Sequence, residues 1–107
     1  MGKNFEQIDI GQGGSAYLAY ADVDFTPPSG KVVIAITSLD DATEFNTLTP
    51  DNTADVAYMS TATQVTQNGT NADVIPASET FPAGVTLYGR WTKVQIDAGA
   101  VVMYFGQ

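Results

Sequence analysis

Short runs of alternating apolar and polar residues, broken by turn residues about every ten positions, run through the chain and predict strands rather than helices. From Ser15 to Phe25, the residues Tyr17, Ala19, Ala21, Val23 and Phe25 recur at period two, with Asp22 and Asp24 on the opposite face. The segment closes at Thr26-Pro27-Pro28-Ser29-Gly30, a turn that predicts a long hairpin with the run from Lys31 to Leu39. That second run is β-branched and apolar, which predicts a buried central strand. Near the C-terminus, Phe81-Pro82-Ala83-Gly84 predicts a turn, because Pro presets φ and Gly supplies a positive φ. Val85, Leu87 and Trp91 then share one strand face, with Thr86 and Arg90 on the other. Past Trp91 the apolar set moves to Val94 and Ile96, which have the opposite parity. A period-two pattern changes phase only through an extra residue or a bend, so a bulge or corner is predicted between Gly89 and Lys93. Asp97-Ala98-Gly99 suits a three-residue hairpin loop with Gly99 left-handed, and Ala100 to Phe105 is apolar on both faces, as in a central strand.

The remaining stretches are weaker in pattern. Phe5, Ile8 and Ile10 predict a short first strand entered from a flexible arm at residues 1–4. Gly11-Gln12-Gly13-Gly14-Ser15 has three glycines but no phosphate-loop spacing and no Lys, and it leads into a strand; an ordinary turn is expected. Residues 40–54 are polar and predict the longest loop, with Phe45 and Leu48 either pinning it to the core or facing a partner. Asp55 to Val65 predicts one or two strands carrying Val56, Tyr58 and Met59, followed by a turn centred on Asn68-Gly69. Val74-Ile75-Pro76 is a short edge strand at most, since Pro cannot donate to an interior ladder. With 107 residues and no internal repeat or linker, the chain is expected to form one all-β domain. The expected architecture is a single-domain antiparallel β-sandwich or barrel with little or no helix, of roughly seven to nine strands.

Composition narrows the chemistry. The chain has no Cys and no His, which removes disulfides, thiolate or imidazole metal sites and Cys–His catalysis. Twelve acidic residues against four basic ones give a net charge of −8, which opposes binding to nucleic acid and, less strongly, to anionic membranes. No run approaches the roughly 20 apolar residues of a membrane span, and Met1 to Glu6 lacks the apolar centre of a secretory signal. Glu6 also stands where a myristoylation signal needs Ser or Thr. Synthesis in a cytoplasm as a soluble protein is expected.

Candidate sites are few. Asp40, Asp41, Glu44 and Asp51 supply the oxygen donors calcium takes, but the spacing of an EF-hand is missing and a solvated acidic loop is the simpler expectation. Asp22 and Asp24 share a face, as a glycosidase pair would need, yet a solvent-facing strand accounts for them. Asn68-Gly69-Thr70 matches a glycosylation sequon, which synthesis in a bacterial cytoplasm would make irrelevant, and a hairpin turn explains it. Arg90 and Trp91 are either interface anchors or a core tryptophan beside an arginine that covers it or pairs with an acid. No catalytic, cofactor-binding or metal-binding set is assigned.

The run Phe81-Pro-Ala-Gly-Val-Thr-Leu-Tyr-Gly-Arg-Trp-Thr92, ending in a short hydrophobic strand and Gly106, resembles the end of small virion proteins of tailed bacteriophages, many of them from marine phages. The similarity is clearest from Phe81 to Gly106. It implies a structural, non-enzymatic role without cofactor, as a capsid decoration or cement protein on the outer capsid surface. The implied partners are the major capsid protein and the chain itself, as a homotrimer in the form such proteins commonly take, with neither nucleic acid nor membrane. Interface residues expected on this reading are Phe5, Phe45, Leu48, Arg90, Trp91 and Tyr104. A carbohydrate- or receptor-binding β-sandwich used for attachment is the alternative, with a stacking platform drawn from the five Tyr and one Trp. A minor tail or neck component is a further one.

Overall fold

The strand that decides the architecture, Thr86–Ala98, is 13 residues long and begins and ends at the same place. Ser38 N donates to Val85 O at 2.8 Å, and the adjoining Leu39 N donates to Ala100 O at 2.9 Å. An extended run of that length would span about 40 Å, so the strand has to turn back on itself. It does so at Trp91, the residue at which its partners change. The computed structural model that shows this describes residues 13–51, 59–61 and 73–107. Five strands are present among them: β1 (Ser15–Leu18), β2 (Val32–Ser38), β3 (Glu44–Pro50), β4 (Thr86–Ala98) and β5 (Val101–Gly106). They form one antiparallel sheet in the order β1-β5-β2-β4-β3, and the described residues contain no helix. The protein is an all-β single domain.

The first part of β4 pairs with β2, from Thr37↔Thr86 to Val33↔Trp91. The second part pairs with β3, from Pro50↔Trp91 to Glu44↔Ala98. On the free side of that second part, Phe25 and Val94 exchange backbone hydrogen bonds of 2.8 and 2.9 Å, and Asp22 N donates to Ile96 O. The sheet is thereby folded into two layers. One is β1-β5-β2 with the start of β4; the other is the end of β4 with β3 and the 22–25 segment. The corner lies where the shift of apolar parity put it: Trp91 is buried from one phase, and Val94 and Ile96 from the other.

The core fills the space between the layers. Val33, Ile36, Val101, Met103 and Phe105 face Phe45, Leu48, Val94 and Ile96, with Trp91 at the fold. Each such side chain contributes about 1.5–3 kcal/mol on burial. Phe25 stacks on Phe105 at a ring separation of 5.7 Å, and Phe81 meets Phe45 edge-on at 5.5 Å. Both predicted central strands are central: β2 lies between β5 and β4, and β5 between β1 and β2. The turns at 26–30 and 81–84 form, with Lys31 N donating to Pro28 O and Val85 N to Pro82 O. Among the described residues Ile75 makes an isolated bridge to Thr61, next to Pro76, which cannot donate to a ladder.

Three expectations are corrected. The run from Ser15 to Phe25 is not one strand and forms no hairpin with β2. β1 ends at Leu18 and pairs with β5, and the chain then bends through Asp22, whose φ is 64°. The inward residues are Ala16 and Leu18, while Tyr17 stands outside; alanines in a period-two series carry too little apolar surface to fix a face. Residues 40–54 are not a long loop, since β3 occupies Glu44–Pro50. Phe45 and Leu48 lie three apart, which a regular strand cannot bury together; a register shift between Phe45 and Thr47 turns both inward. Gly99 has the expected positive φ of 91°, but it does not close a hairpin. β2 lies between β4 and β5 in the sheet, so the Asp97–Ala100 link arches from one layer to the other. The described residues hold five strands. The expected strand at Phe5–Ile10, the arm at residues 1–4, the Asn68-Gly69 turn and all but Met59, Ser60 and Thr61 of the 55–65 strands lie outside the described residues.

Candidate functional site

The corner residues resolve into two roles. Trp91 is fully buried, and its indole Nε1 donates to Met59 O at 2.8 Å. Gly89 makes this possible, because a Cβ there would sit 2.7 Å from the indole ring. Arg90 points outward, with its Nε 2.7 Å from Asp51 Oδ2, and Asp51 N returns a hydrogen bond to Arg90 O. Trp91 is thus a core tryptophan, and Arg90 is an exposed arginine paired with an acid. Phe45 and Leu48 are also fully buried, so these two and Trp91 are core residues and offer no surface to a partner in this fold. Tyr104 is half-buried on β5, and Phe5 lies outside the described residues.

The acidic cluster does not assemble. Asp40 Oδ1 accepts from Ala42 N in its own turn, and Asp41 Oδ1 accepts from Ala83 N. Asp51 is at the far end of β3, on Arg90. Among the described residues no group of three or more acidic side chains is arranged to hold a metal ion. Asp24 is engaged in a polar network, accepting from Gln95 Nε2 at 2.8 Å and lying 3.7 Å from Lys93 Nζ. Asn46 Nδ2 extends it by donating to Gln95 Oε1. These residues cover the outer face of the β3–β4 layer, which is thus charged and amide-rich.

The other layer presents the opposite surface. The pairing puts Ser15, Tyr104, Ala35 and Tyr88 in one row across β1, β5, β2 and β4, and Tyr17, Val102, Thr37 and Thr86 in the next. Paired residues of neighbouring strands share a face. The rows between them, such as Ala16, Met103, Ile36 and Leu87, point into the core, so these two rows face out. Tyr17 is 67% exposed and Tyr88 65%. Ala35, between Tyr104 and Tyr88 in the first row, is buried, and the Thr37 and Thr86 hydroxyls meet at 2.9 Å. β1, β2, β5 and residues 86–89 of β4 contain none of the 12 acids and none of the four bases. Sequence reasoning did not assemble this face, although the four charge-free windows are visible in the chain; only strand order brings them side by side.

The described residues include no helix long and apolar enough to cross a membrane. No family model matches the chain, and neither the curated proteins nor the solved structures provide a match.

Proposed function

We propose that this chain is a structural virion protein of a tailed phage, a decoration or cement protein that binds the major capsid protein on the outer surface of the head. The observation that carries the reading is the likeness of Phe81–Gly106 to the ends of such proteins, because those residues are the frame of this domain. They supply the folded strand β4, its corner at Trp91 and the central strand β5. The role would be mechanical: a folded domain that bridges capsid subunits adds buried area where packaged DNA pulls them apart. A net charge of −8 suits an outward position away from that DNA.

Glycan binding is the second reading, and the exposed Tyr17 and Tyr88 beside Tyr104 favour it. Trp91, being buried, takes no part in such a platform. The two readings separate when purified protein is added to expanded capsids lacking it and, in parallel, to a glycan panel. Saturable capsid binding that raises the temperature of head rupture supports decoration. Saturable glycan binding with no capsid binding supports attachment instead.

A further inference from the structure

We infer that Thr61 guards the outer edge of β3, keeping that strand from pairing with a strand of another chain. β3 is the last strand of the sheet in the order β1-β5-β2-β4-β3, so one side of it has no strand partner among the described residues. An edge of this kind carries backbone N–H and C=O groups that another chain can take up unless something blocks them. The opposite edge, β1, is only four residues long, which by itself leaves little to pair with. β3 has seven residues and carries Phe45 and Leu48 into the core, so its edge needs blocking.

That edge is closed position by position. Just before β3, Thr43 and Phe81 exchange backbone hydrogen bonds of 3.2 and 2.8 Å. A bulge between Phe45 and Thr47 breaks the regular spacing that a second strand would have to match. Pro50, the last residue of β3, has no N–H to offer. Leu48 remains, and Thr61 takes up both of its backbone groups. Thr61 N–H donates to Leu48 O at 3.4 Å, and Leu48 N–H donates to Thr61 Oγ1 at 3.2 Å. The hydroxyl stands where the carbonyl of a neighbouring strand would stand. A side chain cannot hand a ladder on to the next residue, so pairing stops there.

Thr61 is itself held from behind, and it is buried. Of the two residues before it, Met59 accepts the Trp91 indole N–H and Ser60 accepts Ile75 N–H, each at its backbone carbonyl and each at 2.8 Å. Met59 takes a φ of 51°, which a side chain of its kind rarely adopts. Such a conformation persists where the surroundings fix the path of the chain. Valine at position 61 would keep the shape of threonine and remove the acceptor, leaving Leu48 N–H without its partner; serine would keep the acceptor. The guard would act with or without a capsid.

Sedimentation of the full chain up to about 1 mM tests the inference. About 1 M NaCl screens the repulsion between molecules of net charge −8 beyond about 3 Å. Thr61→Val and Thr61→Ala both remove the acceptor and should associate at least about tenfold more tightly than the wild type. Thr61→Ser should match the wild type within about twofold. Val101→Ala, in the core on a strand that does not border β3, loses stability without opening the edge and should match it too. Emission from Trp91, the one tryptophan, reports whether each variant is folded. Association of Val101→Ala equal to that of the Thr61 variants would trace the effect to lost stability and overturn the inference. So would Val and Ala variants that associate no more than the wild type, or that both fail to fold.

Discussion

Trp91 and Arg90 are neighbours with opposite fates, and the difference is energetic. Trp91 is wholly buried where the two layers join and has a hydrogen bond to satisfy its indole N–H. Trp91→Ala should lower stability by about 3–5 kcal/mol, the range for removing a buried aromatic. Arg90 and Asp51 keep 53% and 32% of their side chains exposed, so water and salt screen the pair. Arg90→Ala should therefore cost less than about 1 kcal/mol. Urea denaturation of both variants checks the contrast, and comparable losses would refute it. The parity of Trp91 was legible in the sequence; its partner at Met59 O was not, being 32 residues away. Phe45 and Leu48 were illegible for another reason. Set in a polar stretch and three apart, they share a face in a helix but not in a regular strand, and only the bulge in β3 turns both inward.

At the scale of elements, the corner in β4 is the feature that sequence predicted best, because a change of phase in a period-two pattern has few physical causes. Strand neighbours were the feature it predicted worst. Alternation assigns faces, and nothing in Ser15–Leu18 indicates that its partner is β5 rather than the nearer β2. The arch between β4 and β5 makes a test of the two-layer arrangement. At Gly99 the φ is 91°, and a Cβ would lie 2.5 Å from Thr43 Oγ1 and 2.7 Å from Thr43 Cα. Gly30 has a similar φ of 82° but nothing within 4 Å of its Cβ position. Gly30→Ala should cost about 1–2 kcal/mol through backbone strain alone, and Gly99→Ala clearly more. Thermal melts of the two variants measure the difference. Equal shifts would mean that Thr43 does not pack against the arch.

Over the whole molecule, two layers with one shared core present two unlike surfaces. Among the described residues, Asp24, Lys93, Gln95 and Asn46 lie on the β3–β4 layer, and the strands of the tyrosine-bearing layer carry no charged residue. Composition made the excess of acid plain but could not say where it would fall, since that depends on strand order. A small domain of this kind, with acid turned outward and one plain face for contact, suits a part used in many copies. The measurement that tests the proposed capsid role most directly is the quantitative protein composition of a purified phage particle encoding this chain, referenced to its major capsid protein. A decoration protein should be present at a copy number equal to that of the capsid protein or a fixed fraction of it. A handful of copies would move the protein to the tail or portal axis, and absence from the particle would contradict the structural role altogether.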